Sequence, residues 1–171
     1  MTKLPLLALL SALALTACAP RPAPVPLGPD GKPLPVAYTI TPKEAAAIAP
    51  RVLAQVNSLR AGSGAAPVQL NPQLTAAAEA HSRDMSAQNR AWHFGSDGSS
   101  PIDRVKRLGY YGRLIGENIS ETYENDTATL SAWMQTRDTR DVIMDPGARD
   151  LGMGWYQESS GKIWWTLLTG G

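Results

Sequence analysis

The closing stretch of the chain constrains the fold more than any other. Two apolar runs, residues 151–158 and 163–169, flank the short segment Ser-Ser-Gly-Lys, which predicts a β-hairpin. The second run has two apolar sides, one with Ile163, Trp165 and Leu167 and the other with Trp164 and Leu168. A strand that is apolar on both sides has to be covered on both faces. The sequence therefore predicts an α/β fold in three layers, an α-β-α sandwich with a mostly antiparallel sheet.

The first residues have the pattern of an export signal. Lys3 is followed by an apolar run over residues 4–15, which has signal-peptide length and is too short to span a bilayer. The run ends in Leu-Thr-Ala before Cys18, which resembles a bacterial lipoprotein box. That resemblance implies cleavage before Cys18, diacylglycerol on its sulfur and an acyl chain such as palmitate on the new amino terminus. The alternative is a plain secretory peptide followed by a chance cysteine.

A lipidated Cys18 would attach the protein to the bacterial cell envelope, because several acyl chains form a stable membrane anchor. Ala19, not aspartate, follows the cysteine. This resembles the signal for the outer membrane, on its periplasmic or surface face, in a cell with two membranes. Cys18 is also the only cysteine, so an intramolecular disulfide is excluded and the domain has to be held together by its core.

Composition divides the chain into three parts: a signal peptide (1–17), the lipidated cysteine with a proline-rich linker (18–35), and a folded domain (36–171). Seven prolines fall within residues 19–35. Such a segment favours polyproline II, a semi-rigid spacer of roughly 50 Å at about 3.1 Å per residue. The formal net charge is +1 and the sequence has no long basic run, so nucleic acid is not an expected partner.

The first predicted helix begins with a capping side chain followed by proline. Thr41 and Pro42 occupy these positions, and Glu44 is expected to complete a capping box. Apolar residues follow at helical spacing: Ile48, Val52, Val56 and Leu59. Pro50 falls inside this pattern, so the helix is either kinked there or begins after it.

The second predicted helix begins at Asn71 and Pro72 by the same logic. One of its faces carries Leu74, Ala78, His81 and Met85. His81 is therefore either a buried ligand or, as we expect, a packed histidine whose two ring nitrogens are satisfied locally.

The stretch from Ala91 to Glu121 contains His93, one of two histidines, and Glu117, in a predicted strand over residues 115–122. A short helix is expected between them, with Ser100 as its cap. Its apolar stripe consists of Ile102, Val105 and Leu108. Because one short helix separates the two side chains, they could converge. A histidine nitrogen and a carboxylate can begin a metal site or an acid–base pair.

Two more helices precede the hairpin. Asn125 can cap the first of them, whose buried side is expected to carry Leu130, Trp133 and Met134. A shorter helix is expected over residues 138–144, ending at the Asp-Pro-Gly segment that begins with Asp145.

Short motifs occur along the chain in a characteristic order. They are Asn57-Ser58-Leu59-Arg60, Leu70-Asn71-Pro72-Gln73-Leu74, Ala80-His81-Ser82, Gly116-Glu117-Asn118-Ile119, Trp133-Met134, Leu151-Gly152-Met153-Gly154 and Trp165-Thr166. Over roughly residues 45–170 this series resembles the CAP superfamily in its bacterial SCP-like form, the group of cysteine-rich secretory, antigen 5 and pathogenesis-related proteins. The resemblance implies the α-β-α sandwich that the strand pattern also predicts.

The resemblance further implies a cleft tetrad of two histidines and two acidic residues, which in several members binds a divalent metal such as zinc. His93 and Glu117 match the first histidine and the first acid. The other two tetrad positions fall on Thr136 and Thr139, and Leu167 stands where glutamine is common. The resemblance therefore implies a degenerate tetrad.

A catalytic zinc site usually needs three protein ligands. His93 and Glu117 alone are expected to give at most a weak zinc site, unless Glu121, Asp138 or Asp141 substitutes. The interpretation that we favour is a hydrogen-bonded His93–Glu117 contact that stiffens the cleft. The hydroxyl groups that could act as nucleophiles belong to Ser96, Ser99, Ser100 and Thr139, but the sequence has no Gly-x-Ser-x-Gly elbow.

Three functions remain open. The one we expect is a non-enzymatic envelope protein whose cleft binds a lipid, another small ligand or a cell-wall fragment. The alternative is a divalent-metal-dependent hydrolase that uses His93 and Glu117 as its catalytic residues. The third is a structural or partner-binding module, suggested by Trp155, Tyr156, Trp164 and Trp165, although ordinary sheet packing explains these aromatic residues better.

Overall fold

The computed structural model describes residues 37–171. Its helices and strands are α1 (Pro42–Gly62), β1 (Gln69–Leu70), α2 (Pro72–Gln88), α3 (Pro101–Arg107), β2 (Leu114–Thr122), α4 (Asp126–Gln135), α5 (Arg137–Met144), β3 (Asp150–Gln157) and β4 (Ile163–Gly170). The strands form one sheet in the order β1-β3-β4-β2. β1 pairs with β3 in parallel, whereas β3–β4 and β2–β4 are antiparallel. The sheet is therefore mixed, and the three-layer α/β prediction is confirmed.

The helix starts follow the predicted cap residues, with one exception. Asn71, Ser100 and Asn125 each accept a backbone N–H bond at the start of their helix. Thr41 does the same for α1, but Glu44 does not complete a capping box there. Its carboxylate instead accepts hydrogen bonds from Tyr38 and Arg51, so that expectation was wrong. α1 is helical throughout, with Pro50 inside it.

One face of the sheet is covered by α1, α4 and α5, which we call the α1 layer. Its buried core consists of Ile48, Val52, Val56, Val68, Leu130, Trp133, Ile143, Ala148, Leu151, Met153, Ile163, Trp165 and Leu167. Leu59, predicted to join this core, is 40% exposed, and Arg60 is the buried residue next to it. Four carbonyls accept hydrogen bonds from its guanidinium, those of Ala66, Ile143, Asp145 and Ala148. Burial lowers the pKa of Arg60.

The other face is covered by α2 and α3, the α2 layer. Its buried apolar residues are fewer: Leu74, Ala77, Ala78, Met85, Val105, Tyr110, Trp164 and Leu168. Gly154 of β3 lies directly against the backbone of α2 at Ala78 and Glu79, where a side chain would clash. α2 therefore touches the sheet backbone to backbone. In α3 only Val105 of the predicted stripe is buried, whereas Ile102 is 50% and Leu108 42% exposed. The predicted helix is therefore present, and its apolar stripe is buried only at Val105.

The start of the described chain is fastened beside the β3–β4 hairpin. The backbone N–H of Tyr38 donates to the Tyr123 carbonyl at 2.9 Å. The Gln157 amide accepts from the Ile40 N–H and donates to the carbonyls of Tyr38 and Gly161. Among the helices within residues 37–171, none is long and apolar enough to cross a membrane. The predicted signal peptide, lipidated cysteine and linker lie outside the described residues.

Candidate functional site

Glu117 is a charged residue buried in the sheet. It lies in β2, which forms one edge of the sheet, and it pairs with Leu168 of β4. Paired residues of antiparallel strands share a face, and Leu168 belongs to the α2 layer, so the Glu117 side chain points into that layer. Only 2% of this side chain is exposed. A buried carboxylate needs a partner of opposite charge or hydrogen-bond donors.

Both oxygens of the Glu117 carboxylate are taken up by neighbouring side chains. His93 Nδ1 lies 2.9 Å from Oε1, and Arg104 Nη2 donates to Oε2 at 2.6 Å. The second guanidinium nitrogen of Arg104 donates to the backbone carbonyls of His93 (2.8 Å) and Ser99 (3.1 Å). Arg104 therefore neutralises the carboxylate and also fixes the loop that carries His93. The hydrogen-bonded His93–Glu117 contact that we favoured from the sequence is present.

His81 completes what we call the Glu117 cluster: Glu117, His93, Arg104 and His81. Its Nε2 donates to the Trp92 carbonyl at 3.0 Å and lies 3.7 Å from Glu117 Oε1, which is too long for a hydrogen bond. Its Nδ1 has no partner among the described residues. Burial lowers the pKa of His81 and keeps the ring neutral, while the nearby Glu117 carboxylate opposes this. The expectation that both ring nitrogens are satisfied locally was wrong for Nδ1.

The two threonines at the implied tetrad positions lie on the other side of β2. The side chain of Asn118, which points into the α1 layer with its partner Leu167, donates to the Thr139 carbonyl at 2.8 Å. The Thr139 hydroxyl donates to the Trp133 carbonyl at 2.6 Å and contacts that of Thr136 at 3.2 Å. The Thr139 hydroxyl and these carbonyls thus hold the α4–α5 junction together. Equating these positions with a tetrad stays a prediction.

The residues present do not fit a zinc ion. Glu121 pairs with Lys162 at 2.7 Å, Asp141 faces Arg137 at 3.5 Å, and Asp138 is exposed on α5. Within the described part of the chain, no group of three or more His, Cys, Asp or Glu side chains is arranged to hold a metal ion. The buried acid of the site, Glu117, is already paired with the Arg104 guanidinium.

The candidate hydroxyl nucleophiles are also engaged in local structure. Ser96 donates to Asp84 at 2.5 Å, and Ser100 forms the capping box of α3 with Asp103. Ser99 is buried, and its hydrogen bonds to Asp97 help to hold the pKa of that carboxyl well below its usual range. In the described residues, His93 forms no hydrogen bond to any of these hydroxyls. The seryl-nucleophile chemistry of hydrolases therefore has no support here.

The arrangement fixes how His93 presents itself to solvent. Because a carboxylate only accepts hydrogen bonds, His93 carries its proton on Nδ1 toward Glu117, and Nε2 points away from the buried cluster. The His93 side chain is 51% exposed. Chemically, this gives an oriented imidazole that can accept or donate a hydrogen bond, or a proton, at Nε2.

A cavity of about 330 Å³ lies next to this cluster. Its walls come from α2, the loop after His93, and α3: Ala77, Ala80, Asp84, Gly95, Ser96, Asp97, Ser99, Arg104, Arg107 and Leu108. Arg107 pairs with Asp97 at 2.6 Å, and Arg104 pairs with Glu117. The lining therefore combines an apolar floor with charges that are largely compensated, a composition typical of small-ligand sites.

Arg104 is the site residue that the sequence interpretation did not place, whereas His81 was considered as a buried ligand or a packed histidine. A buried acid requires a cation, so Glu117 in an apolar strand implied a partner. The segment that joins His93 to Glu117 offers only four candidates: Arg104, Lys106, Arg107 and Arg113. Arg104 precedes the buried Val105 and is the one that turns inward.

The comparisons with known proteins define the class. Residues 53–168 match the family described as CAP, the cysteine-rich secretory protein family. That match covers well over half of the sequence, and the chain belongs to the cysteine-rich secretory protein (CAP) family.

Two relatives come from Bacillus subtilis (strain 168). The chain is 30% identical over 126 residues to "Uncharacterized protein YkwD", covering 74% of this chain and 48% of that protein. It is 25% identical over 118 residues to "Uncharacterized membrane protein YlbC", covering 67% of this chain and 34% of that protein. The chain thus spans less than half the length of these relatives.

Solved structures show the same fold. An extracellular protein with an SCP domain from Bacillus anthracis str. Ames superimposes with a TM-score of 0.68 at 21% identity, over 78% of this chain and 44% of that one. An outer surface protein from Borrelia burgdorferi gives a TM-score of 0.67 at 13% identity, over 79% of this chain and 98% of that one. At these identities the likeness shows the fold and no more.

Proposed function

We propose that this chain is a non-enzymatic, envelope-attached CAP module that binds a ligand at the surface above the Glu117 cluster. The observation that supports the proposal is that both carboxylate oxygens of Glu117 are already hydrogen-bonded. Its buried carboxylate is bound on one oxygen by the Arg104 guanidinium and on the other by His93. The Arg104 guanidinium thus occupies the carboxylate that a metal ion would have to bind. The group that remains accessible is the oriented His93 imidazole, which lies beside a cavity.

Zinc binding tests this directly. We expect the full chain to show no submicromolar affinity for Zn²⁺ by calorimetry, because an ion at Glu117 would have to displace Arg104 from a buried ion pair. Asp141→Ala serves as the matched control, since Asp141 is a surface acid away from the cluster. Submicromolar binding that His93→Ala abolishes and Asp141→Ala leaves unchanged would overturn the proposal.

The attachment to the envelope is supported by the sequence pattern around Cys18 and by the extracellular or surface location in the names of two structural relatives. We propose export, cleavage before Cys18 and lipid anchoring, with Ala19 favouring the outer membrane where there are two membranes. Metabolic labelling with a palmitate analogue should label the protein, and Cys18→Ser should abolish the label. Labelling that survives Cys18→Ser would contradict the anchor.

The second candidate function is the divalent-metal-dependent hydrolase that uses His93 and Glu117. The observation in its favour is the half-exposed His93 held by a buried carboxylate, which is how acid–base pairs are oriented. Against it stands the Arg104 ion pair. Thr136→Glu with Thr139→His should restore zinc affinity if the implied tetrad alignment is right. A double variant that folds and gains no affinity would rule out that alignment.

A further inference from the structure

Three consecutive carbonyls in the loop between α2 and α3 are held by side chains of these helices. Each accepts one hydrogen bond: Trp92 from His81 (3.0 Å), His93 from Arg104 (2.8 Å) and Phe94 from Gln88 (3.4 Å). Because the backbone of residues 92–94 is fixed at every residue, the three side chains are displayed in a set arrangement. A surface that is ordered before its ligand arrives loses less conformational entropy on binding.

The aromatic rings of this loop are held against the protein. The indole N–H of Trp92 donates to Gln88 at 2.8 Å. The Arg90 guanidinium stacks over the Trp92 ring, 3.8 Å from its centroid, and the Phe94 ring packs against Trp92 at 5.6 Å and 54°. Phe94 nevertheless remains 48% exposed. We call Arg90, Trp92, His93 and Phe94 the aromatic platform.

Two polar groups of the aromatic platform are available to a ligand. His93 uses Nδ1 for Glu117, which leaves Nε2 on an imidazole that is 51% exposed. The Arg90 guanidinium has a stacking contact with Trp92 but no hydrogen bond or ion pair to any residue of the described range. The platform thus combines the exposed ring of Phe94 with His93 Nε2 and with the N–H donors of the Arg90 guanidinium.

We propose that the aromatic platform is a binding site for a pyranose glycan, with a sugar ring stacked on Phe94 and its hydroxyl or acetamido groups bonded by His93 and Arg90. Sugar rings present polarised C–H groups on one face, which the negative face of an aromatic ring attracts, and polar groups around the edge. This alternation matches the aromatic platform. The inference rests on the proposed ligand-binding function and names the class of ligand.

A lipid surface fits these observations less well. Attraction to anionic lipids takes clusters of about four to eight basic residues, and the loop from Asn89 to Gly95 contains a single one, Arg90. Membrane insertion also needs rings that project, whereas Trp92 is tied down by Gln88. A glycan requires neither feature.

The cavity of about 330 Å³ begins next to the aromatic platform along the chain, because Gly95 and Ser96, which follow Phe94 directly, belong to its lining. A substituent of the stacked sugar, or the next sugar of the polymer, can occupy that space. The expected ligand is therefore an oligomer, and the affinity should rise from a single sugar to a tetramer.

The test measures binding of the full chain to two soluble tetramers, N-acetylated chitotetraose and maltotetraose, by tryptophan fluorescence and calorimetry. The two arms separate an amino sugar from a plain glucose polymer. We expect saturable binding of at least one tetramer, weakened at least tenfold by Phe94→Ala and changed less than threefold by Phe94→Trp. Tyr111→Ala is the matched control, because Tyr111 is an exposed aromatic residue outside the platform. This variant should bind the tetramers with wild-type affinity.

Failure to bind either tetramer would overturn the glycan assignment, and so would binding that Phe94→Ala does not weaken. Phosphatidylglycerol vesicles form a third arm, and vesicle binding that depends on Phe94 without glycan binding would assign the surface to lipid instead. None of these outcomes changes the zinc result, so the glycan site and the non-metal function can fail separately.

Discussion

The two faces of the sheet are covered in opposite ways. The α1 layer is filled with large side chains, including Trp133 and Trp165, and its one buried cation, Arg60, binds carbonyl oxygens. The α2 layer has fewer large apolar residues, and α2 lies against the glycine backbone of β3. Its partly buried cation, Arg104, binds a carboxylate. One face therefore supplies most of the apolar burial that stabilises the fold, and the other holds both histidines around the buried Glu117.

This difference shows how a small domain can hold a charged cluster in place. Close backbone contact between α2 and β3 leaves no room for α2 to shift, so His81 is fixed relative to Glu117. α3, a short helix with only Val105 buried, is in turn positioned by Arg104. Rigidity on this face comes from contact distance and hydrogen bonds rather than from apolar volume.

The largest loss of stability is expected for Arg60→Leu, which tests the role of the buried cation in the α1 layer. It should destabilise the domain by about 4 kcal/mol, because the four hydrogen bonds from the guanidinium to backbone carbonyls are lost and the buried Ile143 carbonyl is left without a side-chain donor. A hydrogen bond contributes about 0.5–1.5 kcal/mol, and an unpaired buried carbonyl costs about 1–3 kcal/mol. Urea unfolding followed by circular dichroism measures this. Arg140→Leu, which changes an exposed arginine of α5, is the control. A loss below about 1 kcal/mol would mean that these carbonyls find water instead.

The backbone contact of the α2 layer is tested by Gly154→Ala. A methyl group there would meet the backbone of Ala78 and Glu79, and relieving the overlap should cost about 3 kcal/mol. Gly62→Ala is the control, since a Cβ at Gly62 meets open space, and it should stay within about 0.5 kcal/mol of wild type. Equal stability of the two variants would show that α2 can move away from the sheet.

Glu117→Gln examines the charged pair itself. The Arg104 side chain is 10% exposed, so removing its counterion should destabilise the domain by about 2 kcal/mol. Asp141→Asn, which alters a surface pair between side chains that are 60% and 83% exposed, should change almost nothing. Matched thermal and urea denaturation would distinguish the two. If Glu117→Gln leaves the free energy of unfolding unchanged, the charges of the cluster contribute no more to stability than ordinary surface charges do.

The smallest expected effect is a pH dependence from His81. Burial lowers its pKa below the ordinary value of 6.5, so below that pH the unfolded state binds more protons than the folded state. Stability should therefore fall as the pH drops below about 6.5, by at most about 1.4 kcal/mol per pH unit. His81→Gln keeps a donor for Trp92 and should flatten the slope. The charged groups acting on His81 are Glu117, Arg104 and Asp84, and an unchanged slope would assign the titration to another group.

Much of the fold could be predicted because its signals are local. Capping residues followed by proline marked α1, α2 and α3, and alternation in the last two runs marked the hairpin. β1 was missed because two residues, Gln69 and Leu70, carry no periodicity. Its existence depends on parallel pairing with β3, a contact between residues about eighty positions apart.

The site was only half predictable for a similar reason. His93 and Glu117 stood out as rare or buried ionisable groups near each other in sequence. The roles of Arg104 and Arg60 depend on which oxygens lie within reach in three dimensions, and nothing in the neighbouring residues distinguishes a guanidinium that meets a carboxylate from one that meets carbonyls. The burial of α3 could not be predicted either, because the spacing of apolar residues indicates that they share one side of a helix and not whether that side is buried.

The Gln157 side chain gives the domain a definite response to mechanical load. It fastens residues 38–40 to the end of β3, next to the backbone bond between Tyr38 and Tyr123. Tension transmitted from residue 37 would reach these few bonds before it reached the sheet or the cores of either layer. The segment before α1 would detach first, so that the loop at residues 92–94 would keep its shape while these bonds break.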